Sequence, residues 1–356
     1  MTSTIAVAMS GGVDSSLAAA LLRQQGHELV GVTAHMFAPI DEAAASAESV
    51  CHHLGIPHHV VDLREEFREI VVENFVREYA SGRTPNPCVL CNRTIKWGVL
   101  LEKIREFGTG EIATGHYARV IRTTDGNVEL RKGLDPMKDQ SYALWRLSHA
   151  MLERTHFPIG GITKDETRAL ADKFDLPSAH RAESQEICFI PDDDYGRFLR
   201  EWAADEGISS PALEPGPIRD SNGDEVGTHR GIAFYTIGQR KGLGVAFGEP
   251  RYVTRMDPAT RTIWIGENDD LSDSDLIADQ ANWPSGEPPE SGTRVAAKIR
   301  YLHAGMSATV HLLEGDRFRI VLDEKQRAIT PGQSVVLYDA DRVIGGGIIV
   351  SAGTEK

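Results

Sequence analysis

The stretch that most constrains this chain is residues 5–16, IAVAMSGGVDSS. Its first residues are apolar, as in a buried strand, and they end in a Ser-Gly-Gly turn after which a helix is predicted to open at Ser15. A strand, a glycine turn and a helix N-terminus direct several backbone N–H groups and hydroxyls to one point. That arrangement suits an anion, above all a phosphate, so the stretch predicts a phosphate-binding loop.

The loop is not a Walker loop, because GxxxxGK[ST] requires a Lys that does not follow these glycines. SGGVDSS instead resembles the pyrophosphate loop of enzymes that use ATP to adenylate a carbonyl oxygen and release pyrophosphate. The alternative is a tight strand-to-helix turn that binds nothing.

The segments after this loop alternate between strand-like and helix-like patterns. Strands are predicted at residues 28–33 and 58–63, and helices at residues 42–54 and 64–80. Such alternation predicts an α/β fold with a doubly wound parallel sheet. Ligands bind beyond the carboxyl ends of the strands of such a sheet, which is where the glycine loop lies.

The later segments predict further helices and strands, followed by an all-β region. The middle of the chain predicts a hairpin folded at Asp125-Gly126, helices over residues 139–154 and 164–174, and an extended segment over 184–190. From about Trp202 short alternating runs predominate, at 232–237, 307–313 and 335–338, which is typical of all-β structure. We therefore predict a catalytic α/β domain over residues 1–199, a small mainly-β middle domain over 200–266 and a C-terminal β-barrel over 267–356.

Composition excludes several classes of protein. The chain has 356 residues, 41% hydrophobic and 25% charged, as in ordinary globular proteins, and no apolar run approaches the roughly 20 residues of a membrane span. We expect a cytoplasmic protein without a membrane partner. A net charge of −14 argues against a general nucleic-acid binder, although a local basic face is compatible with it.

The four cysteines are too few for a disulfide framework in a chain of this size, so any function for them is redox, covalent or metal-binding. Cys51 lies in a helix-like stretch and is interpreted as a small buried side chain. Cys88 and Cys91 form a CxxC pair, which fits half a zinc site, a redox dithiol, iron–sulfur ligands or a nucleophile with a neighbour. Only a thiolate attacks or ligates, and the cations near this pair in sequence are Arg83, Arg93 and Lys96.

Seven motifs in order resemble the tRNA-specific 2-thiouridylase family of PP-loop ATPases along almost the whole chain. They are AMSGGVDSS, GRTPNPCVLCN, ATGHYAR, KDQSYALW, ICFI, IGQRKGLG and TPGQSVV. The resemblance implies an adenine-nucleotide hydrolase-like fold and ATP-dependent sulfur transfer to C2 of the wobble uridine of tRNA. It also implies Mg²⁺, a tRNA substrate, and a protein sulfur donor, either a cysteine desulfurase or a sulfur relay protein.

The resemblance assigns roles to individual residues. Cys188 would accept the persulfide sulfur, and Cys91 would promote its transfer and can end as a disulfide with Cys188, a transient bond that the cytosol tolerates. Asp14 would hold Mg²⁺ or order the loop. The implied ATP-binding residues are Ala8, Met9, Ser10, Gly11, Gly12, Val13, Asp14, Ser15, Ala34 and Gly115. The implied tRNA contacts are Asn86, Pro87, Cys88, His116, Lys138, Asp139, Gln140, Arg300, Tyr301 and Gln333.

Two departures from the family pattern matter. Many members have Asp where this chain has Cys88, and a Met often packs on adenine where this chain has Ala34. With Cys88, Cys91 and Cys188 present, three thiolates can ligate a [4Fe–4S] cluster whose open iron binds sulfide. A persulfide route therefore stands beside a cluster route, with structural zinc on the same cysteines and His116 as a third alternative.

Two other functions are compatible with the loop alone. One is an ATP-dependent amide or nitrogen ligase, which needs no paired thiols. The other is an ATP- or tRNA-binding module without chemistry, for which replacing Asp14 would abolish no reaction.

Overall fold

The computed structural model describes residues 4–37, 41–124, 126–181, 187–207, 210–245 and 248–353. Its first part contains a five-stranded sheet in which all neighbouring strands are parallel. The strands in spatial order are His58–Asp62, Glu28–His35, Thr4–Ala8, Glu111–Ala113 and Thr155–His156. The predicted parallel α/β sheet is confirmed.

Helices cover both faces of this sheet, as its alternating sequence predicts. On one face, Val13–Gln24 and Asp41–Leu54 pack on Ile5 and Val7. The other face carries two helical runs, which bury aromatic side chains such as Trp97. The segments of these runs are Arg64–Phe67, Arg68–Val72 as a π-helical turn, Glu73–Ala80, Pro87–Cys91, Asn92–Leu100 as a second π-helical stretch, Leu101–Lys103 and Ile104–Phe107 as a 3₁₀ turn.

The helix after the glycine loop begins two residues before the predicted start at Ser15. Gly12 is its N-cap, with extended backbone at φ −89° and ψ 164°. The hydroxyls of Ser15 and Ser16 donate to the carbonyl oxygen of Gly12 at 3.1 and 2.8 Å. These bonds favour the earlier start, which brings Asp14 into the first helical turn.

The C-terminal part is all-β, and the predicted middle and barrel folds are confirmed. Four strands form a middle sheet in the order Tyr252–Asp257, Thr262–Gly266, Gly216–Arg219 and Glu225–His229. Six more form a closed barrel, because its first strand pairs with its fourth and its last. The barrel strands are Ser272–Asn282, Thr293–Lys298, Met306–Leu312, Phe318–Arg327, Ser334–Asp339 and Arg342–Ala352.

The α/β part and the barrel are joined by the segment around residue 140. The predicted helix over 139–154 is wrong, because two short helices, Ser141–Leu144 and His149–Leu152, occupy it instead. Trp145 is fully buried and donates from Nε1 to Ser334 Oγ at 3.0 Å. Docking on the barrel overrides the helical pattern at this point.

The hairpin Ala118–Arg122 and Val128–Lys132 forms as predicted, although Asp125 of its turn lies outside the described residues. The helix Lys164–Lys173 matches its prediction, whereas the run 232–237 holds a 3₁₀ turn, Ile232–Phe234, and not a strand. Further 3₁₀ turns are Pro211–Leu213 and Asp269–Leu271.

The helix Tyr195–Asp205 spans the predicted boundary between residues 199 and 200, so the first two predicted domains share a helix. In the part of the chain that the structure describes, no helix is both long enough and apolar enough to cross a bilayer.

Candidate active site

The glycine loop is held against the second helix of the sheet. Gly11 has a φ of +73°, and a Cβ on it would lie 2.6 Å from the carbonyl oxygen of Ala43. Ser46 donates from Oγ to the carbonyl oxygen of Gly11 at 2.8 Å. Only glycine fits both the backbone conformation and the space, so this part of the loop is fixed before any nucleotide binds.

Four predicted nucleotide contacts have side chains packed into the sheet faces. Met9 and Val13 are 2% and 3% exposed, in the core beneath the helix Val13–Gln24, the loop helix. Ala8 and Ala34 pack against the core on the opposite face. Contacts of Met9 and Val13 with a nucleotide would therefore come from the backbone, and Ser10 is the exposed side chain of the loop.

Gly115 follows the strand Glu111–Ala113, next to the loop strand in the sheet. A Cβ on Gly115 would lie 2.6 Å from both the carbonyl carbon of Asp14 and the amide nitrogen of Ser15. The protein itself therefore requires glycine here. The two strands flank the point at which the order of the sheet reverses, where open α/β sheets bind ligands.

Asp14 is held by two side chains from distant parts of the chain. Its Oδ1 accepts a hydrogen bond from Lys164 Nζ at 2.7 Å and one from the hydroxyl of Tyr117 at 2.8 Å. The Lys164 side chain is 6% exposed, and the Tyr117 hydroxyl also lies 2.9 Å from Thr167 Oγ1. These contacts fit a carboxylate that orders the loop, one of the two roles considered for Asp14.

Two of the three candidate thiols lie on the short helix Pro87–Cys91, the thiol helix. Asn86 caps this helix, its Oδ1 accepting from the amide of Val89 at 3.3 Å, and proline is favoured at the first helical position that follows. Cys88 is exposed, while Cys91, one turn later, is buried with Sγ 3.9 Å from Sδ of Met36. Met36 follows the end of the strand Glu28–His35, so the helix brings Cys91 to the carboxyl edge of the sheet.

Cys188 is placed by the residues that follow it. It lies in a turn closed by the amide of Ile190 donating to Ile187 O at 2.8 Å, and not in the predicted extended segment, whose residues 184–186 lie outside the described ranges. Phe189 packs its ring 5.6 Å from that of Phe67 and 5.3 Å from that of Phe75. The packing of Phe189 therefore holds the turn in place, while the neighbouring Cys188 is exposed.

The surroundings of Cys91 and Cys188 favour the protonated form of both thiols. Burial raises the pKa of Cys91 to about 11. Crowding by protein atoms, with the thiols of Cys91 and Cys88 nearby, raises the pKa of Cys188, although solvent still reaches that residue. Both sulfurs are therefore thiols and not thiolates at neutral pH in this arrangement.

Lys96 is the cation that opposes this effect. Its charge lowers the pKa of both Cys91 and Cys188, though by less than burial raises it. Nζ of Lys96 donates to Oδ1 of Asn92 at 3.0 Å, and Asn92 is itself buried.

The other two cations near the CxxC pair have other contacts. Arg83 is paired with Glu78 at 2.7 Å, and Arg93 lies 3.2 Å from Sδ of Met151. Lys96 is therefore the one of the three whose charge acts on the thiols.

All four cysteines are free thiols, and Cys51 is 1% exposed in the core, as interpreted from its sequence context.

Among the described residues, no group of three or more His, Cys, Asp and Glu side chains is arranged to hold a metal ion. The ring of His116 packs 5.6 Å from Trp97 and 6.0 Å from Phe157, and burial with the nearby Lys96 charge lowers its pKa well below the usual value. His116 is therefore a packed ring beside Trp97 and is not grouped with the thiols as a metal ligand.

Three of the predicted tRNA contacts make internal hydrogen bonds. Asp139 is 7% exposed and accepts from the amides of Gly133 and Ser141, both at 3.0 Å. Gln140 accepts from the amide of Tyr117 at 2.9 Å. Gln333 donates from Nε2 to the carbonyl oxygen of Thr84 at 3.0 Å, in the loop before the thiol helix.

Of the remaining predicted tRNA contacts, Tyr301 lies near Cys88 of the thiol helix. Tyr301 is 39% exposed, with its ring 6.2 Å from that of Tyr142. Its pKa is raised by burial first, and by the nearby Asp139 and Cys88 as well. Arg300 is half-buried and donates to the carbonyl oxygen of Arg327 at 3.2 Å, and Lys138 is half-buried in the joining segment.

Sequence reasoning missed Lys164 and Tyr117 as partners of the loop. The motif GHYAR contains Tyr117, and Lys164 opens a helix with a complete Thr163–Glu166 capping box, but neither pattern indicates where the side chain points. It also missed the Met36 contact of Cys91. These contacts join segments far apart in sequence, and no local signal could have found them.

Three family models match the chain. Their descriptions are tRNA methyl transferase HUP domain for residues 3–192, tRNA methyl transferase PRC-barrel domain for residues 210–267 and aminomethyltransferase beta-barrel domain for residues 273–349. Among solved structures, a U34-tRNA thiolase NcsA from Methanococcus maripaludis with its [4Fe-4S] cluster is 19% identical at a TM-score of 0.36, over 57% of this chain and 67% of that one.

Curated relatives are much closer and extend over the full chain. A tRNA-specific 2-thiouridylase MnmA from Pelobacter propionicus is 47% identical, covering 98% of this chain and 98% of the relative. Another protein of that name, from Trichlorobacter lovleyi, is 46% identical and covers 99% of each chain. The chain therefore belongs to the tRNA-specific 2-thiouridylase MnmA family.

Proposed function

We propose that this protein is an ATP-dependent sulfurtransferase that places sulfur at C2 of the wobble uridine of tRNA. The observation that carries the proposal is the convergence of two features at one edge of the sheet. The pyrophosphate loop follows the strand Thr4–Ala8, and Cys91 contacts Met36 after the neighbouring strand Glu28–His35. An activated carbonyl and a sulfur nucleophile can therefore meet there.

The first step proposed is adenylation. The C2 oxygen of uridine attacks the α-phosphate of ATP, the bond between the α- and β-phosphates breaks, and pyrophosphate leaves. This converts a poor leaving oxygen into AMP. The amides and hydroxyls of residues 10–16 would bind the phosphates, with Asp14 fixing the loop. A Mg²⁺ ion would add charge neutralisation in this step.

The second step proposed is sulfur transfer through Cys188. A persulfide on Cys188 attacks C2 with its outer sulfur, and AMP departs. A thiolate on Cys91 then attacks Cys188 Sγ, which breaks the persulfide bond and leaves the sulfur on C2. The products are 2-thiouridine and a Cys91–Cys188 disulfide, which a thiol reductant then reduces.

The protonated thiols indicate that this arrangement is a resting state. The raised pKa of Cys91 and of Cys188 leaves few thiolates at neutral pH, so transfer requires a change of surroundings. The turn of Cys188 is exposed and is anchored on one side by Phe189, which suits a segment that moves when substrate arrives. A cysteine desulfurase or a sulfur relay protein would supply the persulfide at this exposed thiol.

Recognition of tRNA would use the surface around the exposed Cys88. The target base must leave the anticodon stack, at a cost of a few kcal/mol, before its C2 can approach the thiols. Asn86, Pro87 and Cys88 would lie against the base, and Lys138, Arg300 and Tyr301 would contact the surrounding RNA. Because tRNA and ATP are cytoplasmic, we propose that the protein acts in the cytoplasm.

Replacing single cysteines tests the proposed roles. Cys91→Ser and Cys188→Ser should each abolish thiolation of a tRNA transcript supplied with ATP and a persulfide donor, while Cys51→Ala, in the core, should retain it. Retention of activity by both serine variants would contradict the persulfide route. An ATP-dependent product without sulfur, unaffected by these variants, would instead identify an amide or nitrogen ligase.

Anaerobic purification decides between the persulfide and cluster routes. The persulfide route predicts full thiolation by protein that lacks iron, inorganic sulfide and a visible chromophore. Stoichiometric iron and sulfide, with activity lost when iron is removed, would establish the cluster route with Cys88, Cys91 and Cys188 as ligands.

A further inference from the structure

The pyrophosphate loop carries no positive charge of its own. Residues 10–16 contain neither Lys nor Arg, and Asp14 adds a negative charge. ATP and the departing pyrophosphate carry several negative charges, which repel a nearby carboxylate. A cation is needed at this position to bind the phosphates beside Asp14.

Lys164 brings a cation to the loop from the start of the helix Lys164–Lys173. Its Nζ is 2.7 Å from Oδ1 of Asp14 and 5.6 Å from the centre of the Tyr117 ring. The side chain is 6% exposed, so the ammonium is held at the loop and not left in bulk solvent. The electrostatic interactions of this ammonium are stronger there than at the surface, because little water screens its charge.

The backbone of Lys164 is held as firmly as its side chain. Its amide donates to Oδ2 of Asp135 at 3.0 Å, next to the capping box of Thr163 and Glu166. The helix packs on the loop helix through Ala171 in a shared core. The ammonium is therefore preorganised, as electrostatic stabilisation of a leaving group requires.

We propose that Lys164 binds the β- and γ-phosphates of ATP and stabilises the pyrophosphate that leaves during adenylation, a role that rests on the proposed function. Asp14 and Tyr117 are positioning residues for this ammonium. Lys164 lies outside the loop motif, 150 positions from Asp14 in the chain.

Binding of ATP and AMP by full-length variants tests the proposal. Lys164→Met should weaken ATP binding by at least about tenfold, the loss of one charge-assisted hydrogen bond, and leave AMP binding nearly unchanged. Lys164→Arg should keep most of the preference for ATP. Lys173→Met, at the exposed end of the same helix, should change neither affinity. Tyr117→Phe removes the hydrogen bond from the Tyr117 hydroxyl to Asp14 but keeps the charge of Lys164, so it should weaken ATP binding less than Lys164→Met does.

A purely structural role predicts a different pattern. If Lys164 only orders the loop, Lys164→Met and Tyr117→Phe should weaken ATP and AMP alike, and that result would overturn the proposal. Binding of inorganic pyrophosphate gives a second measurement. Its affinity should fall at least about tenfold in Lys164→Met and stay unchanged in Lys173→Met; equal pyrophosphate affinity in wild type and Lys164→Met would also overturn the proposal. Thiolation of tRNA by the wild-type protein, measured separately, shows whether the proposed function itself holds.

Discussion

The side-chain amide of Gln333, at the rim of the barrel, donates a 3.0 Å hydrogen bond to the carbonyl oxygen of Thr84 in the loop that leads into the thiol helix. The same amide lies 3.4 Å from the carbonyl oxygen of Pro85, and the amide of Thr84 donates to Pro331 O at 2.9 Å. A Cβ on Gly332 would lie 2.8 Å from the Thr84 backbone. The barrel therefore positions the loop before Cys88.

Replacing Gln333 should loosen that loop without affecting the nucleotide site. Gln333→Ala removes the amide, so hydrogen exchange at residues 83–91 should accelerate and thiolation should fall about tenfold or more, while the affinity for ATP stays the same. Gln25→Ala, an exposed position at the end of the loop helix, is the control. Unchanged exchange in Gln333→Ala would show that the barrel does not hold the loop, and lower tRNA affinity alone would assign Gln333 to RNA contact.

A side chain on Gly115 should displace the pyrophosphate loop. In Gly115→Ala the new Cβ would meet the backbone of Asp14 and Ser15 at 2.6 Å, and backbone cannot move aside as a flexible side chain can. We expect a loss of about 1–3 kcal/mol in the free energy of unfolding and a large loss of ATP affinity. Calorimetry measures both. Gly161→Ala, where a Cβ has open space, should change neither. A Gly115→Ala protein as stable as wild type would contradict the observed packing.

Alkylation of Cys91 should depend steeply on pH. Its pKa of about 11 means that its thiolate fraction, and hence its rate with iodoacetamide, rises about tenfold for each pH unit from 7 to 10. An ordinary thiol, with a pKa near 8.5, levels off above about pH 9. Peptide mass spectrometry after timed labelling resolves the site. A plateau for Cys91 below pH 9 would show that its thiolate is already stabilised.

Removing the Lys96 charge should slow the alkylation of Cys91 further. The cation favours the thiolate, so Lys96→Met raises the pKa of Cys91 and Cys188 and lowers their thiolate fraction at any pH below it. Labelling of both cysteines at pH 8 should slow severalfold, and Lys96→Arg should restore most of the rate. Equal rates in wild type and Lys96→Met would exclude electrostatic assistance by Lys96.

Variants of Cys88 distinguish the persulfide route from the cluster route. In the persulfide account Cys88 performs no step, so Cys88→Asp, the residue that many family members have here, should keep thiolation within a few fold of wild type. Cys88→Ala controls for the loss of the thiol alone. Loss of activity in both, together with loss of bound iron, would favour the cluster.

The sequence predicts the α/β sheet and its loop well because both depend on local patterns. Residues 5–16 encode strand, turn and helix within a single segment, and strand–helix alternation defines a parallel sheet. The β-barrel is predicted for the same reason, since its strands alternate between apolar and polar residues. Prediction fails where tertiary contacts determine the local structure. Trp145 continues a helical pattern but is buried against Ser334, and the helix breaks there.

Prediction of the candidate site succeeds and fails for the same reasons as prediction of the fold. The loop, Cys91 and Cys188 lie in motifs, whereas the contacts that position them do not. Asp139 shows the limit most clearly: the resemblance implies a tRNA contact, whereas in the structure its carboxylate accepts hydrogen bonds from the amides of Gly133 and Ser141. The same carboxylate lies 3.9 Å from Nζ of Lys298, a barrel residue about 160 positions later in the chain. Side-chain partners at such separations follow from the assembled fold alone.

The central claim is that one ATP-dependent adenylation precedes each sulfur transfer. The direct measurement combines purified protein, a tRNA transcript, a persulfide donor and ATP, and counts pyrophosphate released and 2-thiouridine formed in the same reaction. The account predicts equal amounts of both, with neither formed when tRNA or ATP is omitted. Formation of 2-thiouridine without ATP, or pyrophosphate release with no 2-thiouridine in the presence of a competent donor, would contradict it.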